Sequence, residues 1–188
     1  MVKIGYAFVN DLSIDNLDFS DFCEERKNYV NSIGDEKRKK QSYCVWMLLL
    51  KMIKEEDIDV NSLKFLRLDY GKWVCLNLSI MFSLSHSDNV VAVSLAYKDL
   101  NAIDVQKCLP SCVTVINKLS NTQAFSTKNM SDIIEATRLF TIKEIKIKGS
   151  FNSFNSTYLK DKDGNDFVLS YAFENDDEIP QIKEYILD

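Results

Sequence analysis

Histidine is nearly missing from this sequence. The single copy, His86, excludes every zinc site built on a histidine pair, including the H-E-x-x-H helix of metalloproteases. Glycine is scarce as well. The five glycines, at 5, 34, 71, 149 and 164, stand too far apart to write a G-x-G-x-x-G turn or a phosphate-binding P-loop. Two prolines exclude a proline-rich or collagen-like architecture. No apolar run approaches the ~20 residues needed to span a bilayer; the longest lies near Tyr43–Leu50. The apolar stretch at the N-terminus is short and ends at Asp11, which does not make a secretory signal. The cysteines (23, 44, 75, 108 and 112) are scattered and odd in number, so reduced thiols are expected, and Cys108 and Cys112 form a C-x3-C without a second pair. Together these absences lead to the expectation of a soluble cytoplasmic protein with no membrane partner.

The residues that are present describe a folded chain. Hydrophobic residues make up 46% and charged residues 27%, which excludes wholesale disorder. A length of 188 residues fits one domain, or two small halves sharing a core. Lysine and arginine number 23 against 28 acidic residues, a net charge of −5 that argues against general nucleic-acid binding. Basic residues do cluster locally, at Lys37–Lys40 and at Lys143, Lys146 and Lys148. The patterning predicts strands over Val2–Val9, Leu63–Leu68, Trp73–Leu78, Phe82–Ser85, Val90–Tyr97, Asn101–Gln106, Thr157–Lys160 and Phe167–Phe173. It predicts helices over Asp18–Val30, Asp35–Glu56 and Ser131–Lys148, the last stopped by Gly149, and a weakly helical acidic end over Glu174–Asp188. His86–Asn89 reads as a polar turn, and Lys162–Asn165 as a hairpin. Strands mixed with long helices indicate an α+β fold.

Three segments carry residues suited to chemistry. In the strand Ala102–Gln106, Ile103 and Val105 share one face, and Asp104 and Gln106 share the other. A half-exposed edge strand would read the same way. In the helix ending at Lys148, Phe140, Glu144 and Lys148 lie at i, i+4 spacing, which sets a carboxylate beside a cation, or simply makes a solvated salt bridge. The strand Phe82–Ser85 runs into His86 and Ser87, so hydroxyl and imidazole groups that suit a phosphate oxygen gather at its end. Nothing around Ser85 or Ser87 resembles a nucleophile elbow.

In their order and spacing, Tyr70-Gly71-Lys72, Phe82–Ser87, Ala102–Gln106 and Phe140–Lys148 resemble the motifs of the 4′-phosphopantetheinyl transferases of the surfactin-synthetase (Sfp) type. The resemblance runs from the first strand to Gly149, takes in Glu24–Lys27 as an early helix, and loosens in the C-terminal part. It implies two similar α+β halves about a pseudo-twofold axis, residues 1–98 and 99–188, and a chain able to work as a monomer. It implies magnesium-dependent transfer of the phosphopantetheine arm of coenzyme A to a serine of an acyl or peptidyl carrier protein, releasing adenosine 3′,5′-bisphosphate. Position by position, Asp104 and Glu144 match magnesium ligands and Lys148 the lysine at the pyrophosphate. Lys72, Ser85 and His86 match contacts to the cofactor's phosphates. Ser42 matches a further hydroxyl contact, and Arg38 and Lys40 are neighbours of the nucleotide. Two positions depart from the family. Gln106 stands where it has a second strand carboxylate and metal ligand, and Gln123 where it has a glutamate proposed as the base. Glutamine coordinates a cation without adding charge and does not accept a proton near neutrality. The alternative expectation is therefore a catalytically weakened member that binds coenzyme A or a carrier without efficient transfer.

Overall fold

The computed structural model describes residues 2–9, 17–151, 153–174 and 180–187. Its elements are β1 (Val2–Phe8), α1 (Glu24–Ser32), α2 (Glu36–Lys54), β2 (Phe65–Arg67), β3 (Trp73–Cys75), β4 (Ile80–Ser87), β5 (Val90–Tyr97), β6 (Asn101–Lys107), α3 (Pro110–Ser120), α4 (Met130–Lys148), β7 (Asn155–Lys160), β8 (Asp166–Phe173) and β9 (Gln181–Glu184). The fold is mixed α+β. One sheet has the order β4-β5-β1-β9 and a second the order β6-β8-β7, with β2 and β3 forming a small separate ribbon. Among the described residues no helix is long and apolar enough to cross a membrane.

Strand β5 shows how the layers are built. Its valines, leucine and alanines are buried along nearly the whole strand, because both faces are covered. Val91, Val93 and Leu95 join the core under α2, with Trp46, Leu49, Leu50 and Ile53. Val90, Ala92 and Ala96 face the other way and pack with Ile103 and Val105 of β6 and Phe167 and Leu169 of β8. The outer face of the second sheet lies under α4, where Ile145 meets Ala102 and Ala172. The order through the molecule is therefore helix α2, first sheet, second sheet, helix α4.

The helices start where the sequence caps them. Asp35 accepts the Arg38 N–H at 2.7 Å to open α2, and Asn129 accepts the Ser131 N–H at 3.0 Å to open α4. A two-residue turn, Asp88-Asn89, joins β4 to β5, with Asp88 at φ 53, a left-handed geometry that aspartate tolerates better than most residues.

Several expectations are corrected. His86 and Ser87, read as turn, are the last residues of β4, because the hairpin closes over two residues rather than four. The first helix begins at Glu24, not Asp18, since Phe19 and Phe22 are drawn into an aromatic cluster with Tyr43 before the helix starts. Helix α3 was unanticipated. At the C-terminal end, Gln181–Glu184 form not a helix but the strand β9, parallel to β1; residues 175–179 and 188 lie outside the described residues. The break expected near Lys98–Asn101 falls in the short connection between β5 and β6, but β9 returns to the first sheet and ties residues 99–188 to it.

Candidate functional site

Strand β4 is the edge of the first sheet and β6 the edge of the second. The two are joined by side chains. The hydroxyls of Ser83, Ser85 and Ser87 accept the backbone N–H groups of Ile103, Val105 and Lys107 at 3.3, 3.1 and 3.0 Å. Every second residue of β4 thus satisfies an edge donor of β6 that would otherwise be stranded between the sheets. The remaining residues of β4, His86 among them, point to the α2 side. Adjacent residues Ser85 and His86 therefore serve different places.

On the β6 side, Ser85 Oγ donates to Asp104 Oδ1 at 2.8 Å. Lys148 Nζ, from the last turn of α4, lies 3.7 Å from the same oxygen and donates to the Ile103 carbonyl. Burial pushes the Asp104 carboxyl up to about 6. Lys148 and the Ser85 hydroxyl hold that rise back, while the negative charge of Glu144 adds to it. Burial likewise lowers Lys148, with Asp104 and Glu144 opposing the shift and the nearby Lys72 reinforcing it. Glu144 makes no hydrogen bond and no ion pair among the described residues, so the sequence-predicted salt bridge to Lys148 is absent: Lys148 turns to the strand instead. Gln106 shares the face of Asp104 and is half-buried.

The register of α4 over this face is set by a buried hydroxyl chain. Thr141 Oγ1 meets Ser170 Oγ at 2.6 Å, and Ser170 Oγ meets Ser156 Oγ at 2.7 Å. Ser170 is the cross-strand partner of Asp104. Thr141, Glu144 and Lys148 lie along one helix face, so pinning Thr141 beside Asp104 fixes where the carboxylate and the ammonium come down.

Two clefts flank these groups. One, of about 510 Å³, runs along the outer edge of β4 and is lined by Tyr70, Lys72, Trp73, Ser83, Ile147 and Lys148, among others. The turn carrying Lys72 is held by Gly71 at φ 88 and closed by its N–H to the Leu68 carbonyl. The other cleft, of about 240 Å³, lies on the α2 side and is lined by Tyr29, Ile33, Gly34, Asp35, Arg38, Ser42 and His86. Burial lowers the His86 imidazole, and the cations Arg38 and Arg26 lower it further, so it is neutral at pH 7. Lys40 is half-buried and lines neither cleft.

The expected residues thus divide into Asp104, Gln106, Glu144, Lys148, Lys72 and Ser85 on one side, and Arg38, Ser42 and His86 on the other. Gln123 joins neither group. It is exposed in a shallow depression with Asn117 and Thr122. Glu135 is committed to Arg138 through two hydrogen bonds of 2.8 and 2.6 Å. Sequence reasoning missed Arg26, which is 3% exposed and hydrogen-bonded to Ser42. Nothing in the pattern of α1 distinguishes a buried arginine from a solvated one.

Among the described residues no three His, Cys, Asp or Glu side chains gather as a metal-binding group. Asp104 and Glu144, with the Gln106 amide oxygen, are a two-carboxylate donor set. That suits magnesium, which commonly takes one or two carboxylates and completes its shell with water and substrate phosphates. A carboxyl raised to about 6 by burial and a neighbouring carboxylate is also one that a divalent cation would relieve. No family model matches the chain, and no curated protein is significantly similar to it.

Proposed function

We propose that this protein transfers the 4′-phosphopantetheine group of coenzyme A to a serine of an acyl or peptidyl carrier protein. The observation that carries the reading is the meeting of Lys72, Ser85, Asp104, Glu144 and Lys148, from four separate motifs, beside two clefts, one lined by Lys72 and Lys148 and the other by Arg38 and His86. The strand orders also support it. β4-β5-β1 and β7-β8-β6 each follow from a strand, a helix pair and a hairpin, with β2 and β3 inserted in the first. That is what two copies of one α+β motif about a pseudo-twofold axis would leave.

In this reading Asp104, Glu144 and Gln106 hold magnesium, which when bound neutralises charge on the pyrophosphate of coenzyme A. Lys148 and Lys72 set two further cations against the phosphate oxygens, where charge grows as the leaving group departs. Arg38, Ser42 and His86 hold a phosphate at the nucleotide end. The carrier serine oxygen forms a bond to the β-phosphorus as the bond from that phosphorus to the bridging oxygen breaks, releasing adenosine 3′,5′-bisphosphate. With Gln123 unable to take the serine proton and Glu135 engaged by Arg138, that proton passes to Glu144, the carboxylate of the site without a hydrogen-bond partner among the described residues. Ser85 spends its own proton on Asp104, so its part is to orient that carboxylate.

The test is the intact mass of several apo carrier proteins after incubation with this protein, coenzyme A and magnesium. A phosphopantetheine increment that disappears with EDTA is the expected result. No increment on any carrier, beside a working control transferase, overturns the reading. Gln106 and Gln123 motivate the second reading, a weakened member that binds without efficient transfer. Its signature is coenzyme A binding without turnover, with a gain of rate on Gln106→Glu and Gln123→Glu.

A further inference from the structure

We propose that Arg26 is a positioning residue of the α2-side cleft: it fixes the Ser42 hydroxyl as a hydrogen-bond donor to an anionic group held beside Arg38 and His86. The inference rests on the reading that this cleft takes a phosphate of the nucleotide.

One nitrogen, Arg26 Nη2, donates to the Ser42 carbonyl at 2.5 Å and to Ser42 Oγ at 2.9 Å. A guanidinium has no acceptor, so the Ser42 hydroxyl must accept, and its own proton is left to donate. Among the described residues that proton has no acceptor. Ser42 lines the cleft; Arg26 does not. Ser85 likewise accepts, from Val105 N–H, but its own proton is already given to Asp104. Of the two serines, Ser42 alone keeps a proton to offer a ligand.

Stability does not account for a charge at position 26. Arg26 has no ion-pair partner among the described residues, and its Nε is buried with no hydrogen bond. Its guanidinium is packed against the rings of Trp46, Tyr29 and Trp73 at 4.6, 5.1 and 5.2 Å. Those contacts favour a cation, but an apolar chain of similar volume would fill the same space without desolvating a charge. The rings hold the fork rigid, and the fork holds the hydroxyl. The one carboxylate lining the cleft, Asp35, is occupied in accepting the Arg38 N–H at the start of α2.

A double-mutant cycle tests this with adenosine 3′,5′-bisphosphate as the titrant, measured calorimetrically on wild type, Arg26→Met, Ser42→Ala and the double variant. The expected result is about tenfold weaker binding for each single variant and no further loss in the double, because both remove the same donor. In urea, Arg26→Met should unfold at the wild-type midpoint or above it. Wild-type affinity in Arg26→Met, or two losses that multiply in the double variant, overturns the inference while leaving the function standing. Failure of the wild type to bind the bisphosphate at all overturns the function and the inference with it. If Arg26→Met does not fold, Arg26→Lys replaces it in the same cycle. It keeps the charge and loses the rigid fork, and wild-type affinity in it is equally fatal.

Discussion

On the α2 side of β4, Arg38 and the buried Arg26 stand near a histidine that burial, and then these two cations, keep neutral. On the β6 side, Asp104 and Glu144 face Lys148, and the carboxyl nearest the strand is pushed up to about 6. The first place has cations and no free carboxylate; the second has carboxylates short of cations. Each is poorly compensated in its own charge, and each would be relieved by a ligand of the other sign. One strand, through the alternation of its side chains, keeps the two environments apart. The serine row on β4 also supplies the backbone partners that hold the second environment together. A molecule that needed only stability would have paired these charges internally. Lys148 is paired with Asp104, but Glu144 on one side and Arg26 and Arg38 on the other have no ion-pair partner among the described residues, and that imbalance is the physical argument for a ligand carrying both an anion and a bound cation.

The largest effect is expected at Asp104. Asp104→Asn should lower carrier modification by about 10²- to 10³-fold, through loss of a cation-holding charge at the reacting phosphate. The same variant should stabilise the ligand-free protein. A carboxyl whose folded value is raised to about 6 from 3.8 retains a proton in the folded state that the unfolded chain has lost. Wild-type stability therefore falls as pH rises between about 4 and 6, and the deficit persists above. The shift corresponds to about 3 kcal/mol, part of which Lys148 loses when its counter-charge is removed, leaving a net gain of about 1–2 kcal/mol at pH 8. Urea unfolding at pH 4 and pH 8 checks this: the advantage of the variant should vanish at the lower pH. A variant less stable than wild type at pH 8 would break the contrast between the two sides.

A smaller and more selective effect is expected at Ser170. Ser170→Ala interrupts the chain from Thr141 to Ser156 and should cost about 1–2 kcal/mol of stability. It should also weaken magnesium binding, by releasing the register of α4 and with it Glu144 over Asp104, while leaving adenosine 3′,5′-bisphosphate affinity unchanged. Equal losses on both sides of β4 would mean that the hydroxyl chain supports the whole fold rather than the position of α4.

At His86 the expectation concerns pH. Its folded value is lowered, so the ligand-free protein loses stability as pH falls through and below about 6.5, where the unfolded histidine takes up a proton first. A bound phosphate favours the imidazolium, so bisphosphate affinity should rise roughly three- to tenfold from pH 8 to pH 6. His86→Gln should flatten that profile.

The smallest effect is at the tip of the hairpin. Asp88 receives Lys37 of α2 and Lys107 of β6, and its carbonyl accepts Gln41 Nε2 at 2.7 Å. This clamp joins the two sides, but Lys37 is mostly exposed. Lys37→Ala should cost only a few tenths of a kcal/mol by thermal unfolding.

Much of this was legible in the sequence, for reasons that can be named. Helices α2 and α4 announce themselves by apolar periodicity and polar caps, and β5 by an unbroken apolar run. The strand period alone places Asp104 opposite Ile103 and Val105. His86 was harder. With five polar residues in a row, Ser85 to Asn89, the turn could close anywhere, and only the pairing of Ser87 with Val90 shows the strand continuing through it. Had the strand been read one residue longer, the same period would have set Ser85 and His86 on different faces. Arg26 was out of reach, because its burial depends on Trp46 and Trp73, which are distant in sequence and brought together only by the fold. Strand β9 was hidden for another reason: its four residues are exposed, three of them polar, and what makes them a strand is the open edge of β1.

That last pairing has a bearing on how the protein is made. Tyr6 and Glu184, hydrogen-bonded across the edge of the first sheet, are 178 positions apart in the chain. The first sheet cannot be completed during synthesis until nearly all the residues described here have left the ribosome, and β1 waits with one edge bare in the interval. Closure over so long a loop is a slow contact to find and a late one to form. Tyr185 makes the closure tight once it comes: its ring is buried against the α2 core beside Gly5, where a larger residue would collide with Met52 and the tyrosine itself. Until β9 pairs with it, the bare edge of β1 is a template for strands of other chains, and an excess of a peptide carrying the β9 sequence would be the natural agent to cover it.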